Sequence, residues 1–375
     1  MKAIVNGRIL LPDGETDGKV LLFDDTVIGL ADKAPAGCDV TDAQGLYVSP
    51  GFVDVHIHGY LGEDASDGSV HGLRRMSRGI LENGVTSFLP TTMTVPWDEL
   101  EQAFSAIRVF MAESSLPDFD GARALGCHAE GPFINPSKKG AQAESAILPP
   151  DAALLLPWRD ILRMVTLAPE MPGGLACVQA LHEAGIAVSI GHTNADGDTC
   201  YAALEAGANH FTHTFNAMSP LTHRGLGTAG AALTSDAYAE LIADGFHVDS
   251  RLFSLMHRAK GNKLILITDC TRAGGMPDGQ YTLGGQPIFV HGIACRLADG
   301  TIAGSVLRMN DAVRNYHTLG NVPLYQAVRC ASLSPAQSIG ALCKGSLEAG
   351  KDADILLLDD DVRVHAVWTG GQRRL

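Results

Sequence analysis

The stretch SPGFVDVHIHGY, residues 49–60, ends an apolar run with two histidines one residue apart. In a β-strand, side chains at positions i and i+2 lie on the same face, so His56 and His58 share a face with Asp54. An isolated pair of this kind is typical of polar residues at a strand end that bond to backbone or solvent. A divalent metal needs three or more ligands, so the pair indicates a metal site only if further ligands end neighbouring strands.

The sequence after residue 50 repeats this strand-like pattern. Short apolar runs alternate with amphipathic segments, at 70–82, 98–113, 175–184 and 199–206, several of which end at a glycine. The eight apolar runs are FVDVHIH, VTSFLPTT, ALGCHAE, MVTLAPE, AVSIGH, HFTH, ELIADG and LILITD. Eight strand-then-helix units over roughly 250 residues predict an α/β fold, a TIM-like (β/α)8 barrel. A doubly wound sheet is the alternative, but no G-x-G-x-x-G follows the first strand, which weakens it.

The two ends of the chain have a different pattern. Residues 1–49 and 344–375 contain strand-and-turn sequences punctuated by Gly, Asp or Pro. They predict one small β-sandwich domain formed by both ends, with the barrel occupying residues 50–343 between them. Within the barrel, residues 281–300 are predicted to form a hairpin excursion.

The composition excludes several classes of protein. The chain has 375 residues, of which 46% are hydrophobic, and 42 acidic against 28 basic residues give a net charge of −14. No Lys/Arg run suggests a nucleic-acid partner or an anionic membrane. Neither a signal-peptide core nor an apolar run of about 18 residues is present, so we expect a cytoplasmic protein with no membrane association. The eight cysteines form no C-x-x-C pair, which indicates reduced thiols.

Unusual polar residues fall at the ends of the predicted strands. Barrel enzymes place the active site at the carboxyl ends of their strands. There lie His56 and His58 on strand 1, Glu130 on strand 3, His192 on strand 5, His213 on strand 6 and Asp269 on strand 8. Five N/O ligands and one further carboxylate therefore converge on one mouth of the barrel.

Each of these residues also has a plainer interpretation. Glu130 could be a solvated loop carboxylate, with His128 as the rival ligand, and His192 could bond to the backbone. His210 is a rival of His213, although it has the opposite parity on the strand. Asp269 could be the N-cap of the next helix. Six such coincidences at one barrel end favour a metal site. Histidine and carboxylate ligands without thiolate suit Zn²⁺, with Fe²⁺, Mn²⁺ or Co²⁺ as alternative occupants. A metal that activates water beside a carboxylate base indicates a hydrolase of amide-like or ester-like bonds.

The motifs resemble those of the amidohydrolase superfamily over nearly the whole chain. PGFVDVHIHG and the C-terminal GSLEAGKDADILLLD are similar to superfamily motifs. HAEGPFINPSKKGAQ, GHTNA, HTFNAMSPLTHR, LIADGFHVD, LITD and LADGTIAGS resemble one branch, the N-acetylglucosamine-6-phosphate deacetylases. A glutamate on strand 3, where other branches use a modified lysine on strand 4, is diagnostic of this branch.

The resemblance implies roles for individual residues. Glu130, His192 and His213 match the ligands of the principal metal, and Asp269 matches the catalytic base. His56 and His58 match members that hold a second ion sharing Glu130, whereas members without these histidines use one ion. The resemblance therefore leaves open whether each subunit binds one ion or two. The substrate contacts implied are Ala141, Gln142, Asn216, Ala217, Arg224, His247, Ile302, Ala303 and Gly304. Two departures are Gln142, where some members have histidine, and HRGLG around Arg224 in place of HREPG.

The implied reaction is hydrolysis of the acetamide of N-acetyl-D-glucosamine 6-phosphate to D-glucosamine 6-phosphate and acetate, in amino-sugar catabolism and recycling. A metal-activated water is the nucleophile, with Asp269 as general base and then acid. Because related deacetylases take the arginine matching Arg224 from the neighbouring subunit, we expect a homodimer, although action within one subunit stays open. One alternative is another deacylase or cyclic amidase acting on a different N-acyl substrate, but cyclic amidases typically need the strand 4 lysine that MVTLAPE lacks. A non-catalytic binding relative should have lost a ligand or the base, and none is missing.

Overall fold

Eight parallel strands form a barrel in the computed structural model, which describes all residues from Met1 to Leu375. Each strand pairs in parallel with the next in chain order. The strands are Phe52–Ile57, Val85–Thr92, Cys127–Glu130, Leu162–Leu167, Ala187–Ile190, His210–Phe211, Tyr238–Ile242 and Leu264–Ile267. All eight lie within the predicted apolar runs or overlap them, so the predicted barrel is confirmed.

Hydrogen bonds between the first strand and the residues just after the eighth strand close the barrel. The Thr268 hydroxyl donates to Asp54 Oδ2 at 2.6 Å, and the Asp269 amide donates to the His56 carbonyl at 2.9 Å. Asp54 is completely buried. Burial raises the pKa of Asp54 to about 7, although the bonds from Thr268 and from the His56 amide lower it. The aspartate that shares a face with the two histidines is therefore part of the closing seam.

The helices pack apolar faces against the barrel. In the first long helix the Ser69 hydroxyl caps the N-terminus by accepting from the Gly72 amide at 3.0 Å, and Leu73, Met76 and Ile80 are buried on one face. The α-helices are Val70–Leu81, Trp97–Ser114, Ala152–Leu155, Gly174–Glu183, Gly197–Glu205, Gly227–Thr234, Phe253–Lys260, Met309–Gly320, Leu324–Ala331 and Leu333–Ser338. None of these helices combines the length and the apolar character that crossing a membrane requires.

The two ends of the chain form two further sheets. One contains Lys2–Val5, Val20–Phe23, Val27–Ala31 and Asp39–Asp42. The other contains Arg8–Leu11, Gly14–Thr16, Tyr47–Pro50, Ile355–Leu358, Val364–Thr369 and Gln372–Arg373. An apolar cluster joins the sheets, with Phe23 packed edge-on against Trp368 at 6.3 Å between ring centroids. The chain division at residues 49, 50, 343 and 344 remains a prediction.

A three-stranded antiparallel sheet leaves the barrel after its eighth strand. Its strands are Gly279–Leu283, Gln286–His291 and Ala294–Leu297. The predicted hairpin at 281–300 is therefore one strand short, because left-handed glycines at Gly285 and Gly292 allow two reversals. The remaining short strands are Gly59–Tyr60, Glu63–Asp64 and Arg123–Ala124, and short 3₁₀ turns lie at Ala65–Asp67, Pro136–Lys138, Glu144–Ala146, Leu156–Trp158, Ser250–Leu252 and Gly261–Lys263.

Candidate active site

The six polar side chains that sequence reasoning placed at strand ends lie together in the structure. They surround the bottom of a cavity of about 410 Å³ at the carboxyl ends of the barrel strands. The cavity lining includes His58, Glu130, His192, His213 and Asp269. His56 lies directly behind them and is completely buried.

Glu130, His192 and His213 form the first ligand group. Glu130 Oε1 lies 3.2 Å from His192 Nε2 and 3.1 Å from His213 Nε2, and the two ring nitrogens are 3.1 Å apart. All three side chains are buried. One oxygen and two nitrogens thus face a common point.

His56 and His58 form a second ligand group with the same glutamate. His56 Nε2 lies 3.3 Å from Glu130 Oε1, and His58 Nε2 lies 3.3 Å from Glu130 Oε2. The two ring nitrogens are 3.4 Å apart. Glu130 therefore joins two histidine pairs, and each group could hold a metal ion.

Hydrogen bonds on the far side of the rings fix which nitrogen can bind a metal. His58 Nδ1 lies 3.0 Å from the Thr91 carbonyl, and His192 Nδ1 lies 2.8 Å from the Lys138 carbonyl. Because a carbonyl oxygen can only accept, Nδ1 carries the proton and Nε2 presents its lone pair to the cavity. Lone pairs that converge beside a shared carboxylate fit a divalent cation with N/O coordination.

The charges in this cluster favour a cation. Burial raises the pKa of Glu130, but the histidines around it outweigh burial and hold it well below its ordinary value. Burial lowers the pKa of His56, but Glu130 and Glu240 raise it well above its ordinary value. For His58, burial again lowers the pKa, while hydrogen bonds to Asp269 and Glu130 raise it to about 10. The carboxylates therefore produce a field that attracts positive charge into a buried site.

Asp269 faces both histidines of the second group. Its Oδ1 lies 3.2 Å from His58 Nε2 and 3.5 Å from His56 Nε2. Burial raises the pKa of Asp269, but the hydrogen bond from His58 and the charges of both histidines outweigh burial and lower it. An ionised carboxylate in the cavity wall can accept a proton from water. Asp269 is thus placed in the site and caps no helix.

Three of these residues have a left-handed backbone, which is unusual for residues other than glycine. The φ angles are 48° at His192, 30° at His213 and 49° at Asp269. Such conformations cost about 1–3 kcal/mol each and persist where the surrounding structure enforces them. The left-handed conformation directs each side chain from its strand end into the cavity.

The two rival histidines lie elsewhere. His128 Nε2 is 2.8 Å from the Thr166 hydroxyl, and its Nδ1 is 3.1 Å from the Val55 carbonyl, inside the barrel. His210 Nδ1 is 2.7 Å from Asn209 Oδ1, and its ring stacks on Tyr238. Neither histidine belongs to a ligand group.

Residues 47–374 match the Amidohydrolase family. The chain belongs to the amidohydrolase family. An N-acetylglucosamine-6-phosphate deacetylase from Bacillus subtilis (strain 168) is 40% identical over 372 residues, covering 97% of this chain and 91% of that relative. An N-acetylgalactosamine-6-phosphate deacetylase from Escherichia coli O157:H7 is 36% identical and covers 97% of both chains. A mutant N-acetyl-D-glucosamine-6-phosphate deacetylase from Mycobacterium smegmatis, solved in complex with N-acetyl-D-glucosamine-6-phosphate, has a TM-score of 0.92 at 32% identity and covers 100% of this chain and 99% of its own.

Most of the substrate contacts expected for this amidohydrolase line the cavity. The residues of that set in the lining are Ala141, Gln142, Asn216, Ala217, His247, Ile302 and Gly304. Ala303 is buried between its two lining neighbours. Arg224 is exposed on the loop 221–225, outside the cavity, and its guanidinium has no hydrogen-bond partner within the chain.

Two of these cavity residues already have polar partners. Gln142 Nε2 donates to Glu130 Oε2 at 2.5 Å, and its Oε1 accepts from the Thr94 amide at 2.7 Å, so the side chain holds the shared ligand in place. His247 Nδ1 lies 2.6 Å from Asp244 Oδ2, and its Nε2 makes no hydrogen bond with the protein. Of these two residues, His247 is the one with a polar atom, Nε2, that is free to contact substrate.

Sequence reasoning missed two charged residues of the site. Lys138 is the only lysine or arginine in the cavity lining, and its ammonium lies 3.3 Å from the Met218 carbonyl. Glu240 lies behind the histidines, with its Oε2 3.0 Å from His56 Nδ1. The available signals were the lysine pair in NPSKKGAQ and a single charge in the otherwise uncharged strand YAELI.

Proposed function

We propose that this amidohydrolase cleaves the acetamide of N-acetyl-D-glucosamine 6-phosphate and releases D-glucosamine 6-phosphate and acetate. The observation that carries the proposal is one carboxylate, Glu130, shared by two histidine pairs opposite Asp269 in a single cavity. The relatives named above support the substrate class. The proposed place of the reaction is the cytoplasm, where amino sugars are recycled.

Glu130, His192 and His213 would hold the principal divalent ion, and His56 and His58 offer a second position. We propose Zn²⁺ as its identity, with Fe²⁺, Mn²⁺ or Co²⁺ as alternatives, because the ligands are nitrogen and oxygen without thiolate. A divalent ion bound here lowers the pKa of water and polarises a carbonyl oxygen.

Asp269 has the role of general base and then general acid. Its carboxylate is ionised, because hydrogen bonding from His58 lowers its pKa despite burial. It accepts the proton of the attacking water and later delivers that proton to the departing amine. The amine must leave protonated, so this second transfer is as necessary as the first.

His247 is the proposed donor to the carbonyl oxygen of the substrate. Burial lowers the pKa of His247, but the hydrogen bond and charge of Asp244 outweigh burial and raise it. When protonated, the ring keeps Nδ1–H on Asp244 and presents Nε2–H to the cavity. A donor held in advance where negative charge develops stabilises the transition state.

Three features support a phosphate group on the substrate. Lys138 is a cation in the cavity wall, and the adjoining loop carries a left-handed residue at Ala217, whose backbone amide, unlike that of Asn216, makes no hydrogen bond within the chain and can donate to an anion. Arg224 would add a bidentate guanidinium. Because it lies outside the cavity of its own chain beside Leu221, which is 48% exposed, we propose a homodimer in which the partner subunit's Arg224 completes the site.

N-acetyl-D-galactosamine 6-phosphate is the second candidate substrate. The specific observation is the Escherichia coli O157:H7 relative of that name, which covers 97% of this chain at 36% identity. The two sugars differ only in the configuration at carbon 4, so the metal, acid–base and phosphate contacts would be common to both.

Acetate release tests the proposal. Purified enzyme is given three substrates at equal concentration, namely each of the two 6-phosphates and unphosphorylated N-acetylglucosamine. We expect the highest kcat/KM on N-acetyl-D-glucosamine 6-phosphate and little turnover without phosphate. Preference for the galactosamine epimer would establish the second candidate, and no acetate from any of the three would refute a deacetylase of N-acetylated amino sugars.

A further inference from the structure

Glu240 is a buried carboxylate that the mechanism above does not use. It lies in the middle of the strand Tyr238–Ile242 and is 0% exposed. Its Oε2 accepts two hydrogen bonds, from His56 Nδ1 at 3.0 Å and from the backbone amide of His213 at 3.0 Å. Its Oε1 is buried with no partner. A carboxylate in this environment is costly unless it is charge-compensated, so its surroundings must supply positive charge.

The partner of His56 differs in kind from the partners of His58 and His192. His58 and His192 donate to neutral backbone carbonyls, whereas His56 donates to a carboxylate. A carboxylate behind a metal-binding histidine fixes the orientation of the ring and makes its other nitrogen a stronger ligand. Through the second bond of Oε2, Glu240 also holds the backbone of His213, a member of the other ligand group.

The number of carboxylates points to two cations. Glu130, Asp269 and Glu240 are all buried around the four histidines. Lys138 is the only lysine or arginine in the cavity lining, and its ammonium is directed to the Met218 carbonyl. The combined negative charge of three ionised carboxylates exceeds the charge of one divalent ion, whereas two such ions more than offset it. The negative charge of the third carboxylate therefore favours binding of a second ion.

We propose that Glu240 is a positioning residue that orients His56 and thereby retains a second divalent ion at His56, His58 and Glu130. The inference rests on the proposed function only in that it assumes a divalent metal in the cluster. It extends that function because binding of the second ion would depend on a residue outside both ligand groups.

The test measures metal bound per subunit, which does not depend on catalysis. Wild type, Glu240→Ala and Glu240→Gln are stripped with chelator, reloaded with Zn²⁺, and analysed by elemental analysis and by competition with a chromophoric chelator. We expect two equivalents in wild type. In Glu240→Ala we expect the second site to weaken by about 10- to 100-fold while the first remains occupied. Glu240→Gln keeps an oxygen that accepts from His56 Nδ1, so it should restore part of the affinity.

Two controls separate positioning from general damage. Asp354→Asn disrupts another buried carboxylate, bonded to Lys344 in the small sheets at 2.7 Å, and should retain two equivalents. In a His56→Ala background, adding Glu240→Ala should weaken the second site no further. Circular dichroism and thermal melting verify that each variant is folded.

Several outcomes would overturn the inference. They are a single equivalent in wild type, unchanged affinity for two ions in Glu240→Ala, or the same loss from Glu240→Ala with and without His56. A wild type that binds two ions but releases no acetate would refute the proposed function and leave the role of Glu240 intact. A wild type that releases acetate with a single bound ion would support the proposed function and refute the role of Glu240.

Discussion

Replacing Arg224 by Ala tests both the substrate and the assembly. The side chain is exposed and has no partner within its chain, so its removal should change the free energy of unfolding by no more than about 0.5 kcal/mol. Loss of a charged hydrogen bond to phosphate costs about 1.5–3 kcal/mol. At about 1.4 kcal/mol per decade, kcat/KM for the 6-phosphate should fall roughly 10- to 150-fold. Turnover of unphosphorylated N-acetylglucosamine should barely change.

The assay is acetate release from both substrates, with thermal melting as a check on folding. Arg159→Ala is a matched control, because Arg159 is also exposed and without a side-chain hydrogen bond. Equal losses on both substrates would refute Arg224 as the phosphate anchor. Mixing Arg224→Ala with Asp269→Asn subunits then locates the residue, since heterodimers regain one intact site if the arginine acts across the interface. No recovery after verified subunit exchange would place it in its own subunit.

Three further predictions concern the base, the histidine pair and pH. Asp269→Asn should retain bound metal and lose activity by roughly 100-fold or more, the share of a general base; near-normal turnover in a kinetic assay would remove it from that role. The double variant His56→Ala, His58→Ala should lose one metal equivalent in elemental analysis and keep the other, whereas unchanged content would make the pair ordinary strand-end residues. Burial, with a smaller effect from the charge of Lys263, lowers the pKa of His210 to about 3. The unfolded chain, with an ordinary pKa near 6.5, therefore binds a proton at His210 that the folded protein does not bind, and the contribution of His210 to the free energy of unfolding should fall by about 2 kcal/mol between pH 7 and pH 5. Urea unfolding of His210→Gln should show a shallower fall, and an identical pH profile would contradict this origin.

The barrel and most of the candidate site could be predicted because both depend on local pattern. Eight apolar runs fixed the strand count, and the predicted segment 70–82 differs from the helix Val70–Leu81 by one residue. Strand parity separated His213 from His210, since neighbouring positions of opposite parity face opposite sides of a sheet. The ends of parallel strands meet at one face of a barrel, so convergence of the ligands followed from topology.

Contacts that depend on distant register could not be predicted. Glu240 and His56 are 184 residues apart, and their hydrogen bond exists only because the barrel aligns strand 7 with strand 1 in one particular way. Gln142 was expected to contact substrate, and no motif indicated that its two polar atoms would bond to Glu130 and Thr94. The proposed role of Arg224 depends on a second copy of the chain, and patterns within one chain carry no information about such a copy.

The pairing of Tyr47–Pro50 with Ile355–Leu358 has a consequence for synthesis on the ribosome. The first of these strands leaves the ribosome about 300 residues before its partner, a delay of roughly 15–60 s at ordinary elongation rates of 5–20 residues per second. During that time one side of the strand has open N–H and C=O groups that can pair with another nascent chain. Chaperone dependence should therefore be concentrated in this interval, and moving residues 344–375 ahead of residue 1 by circular permutation should relieve it.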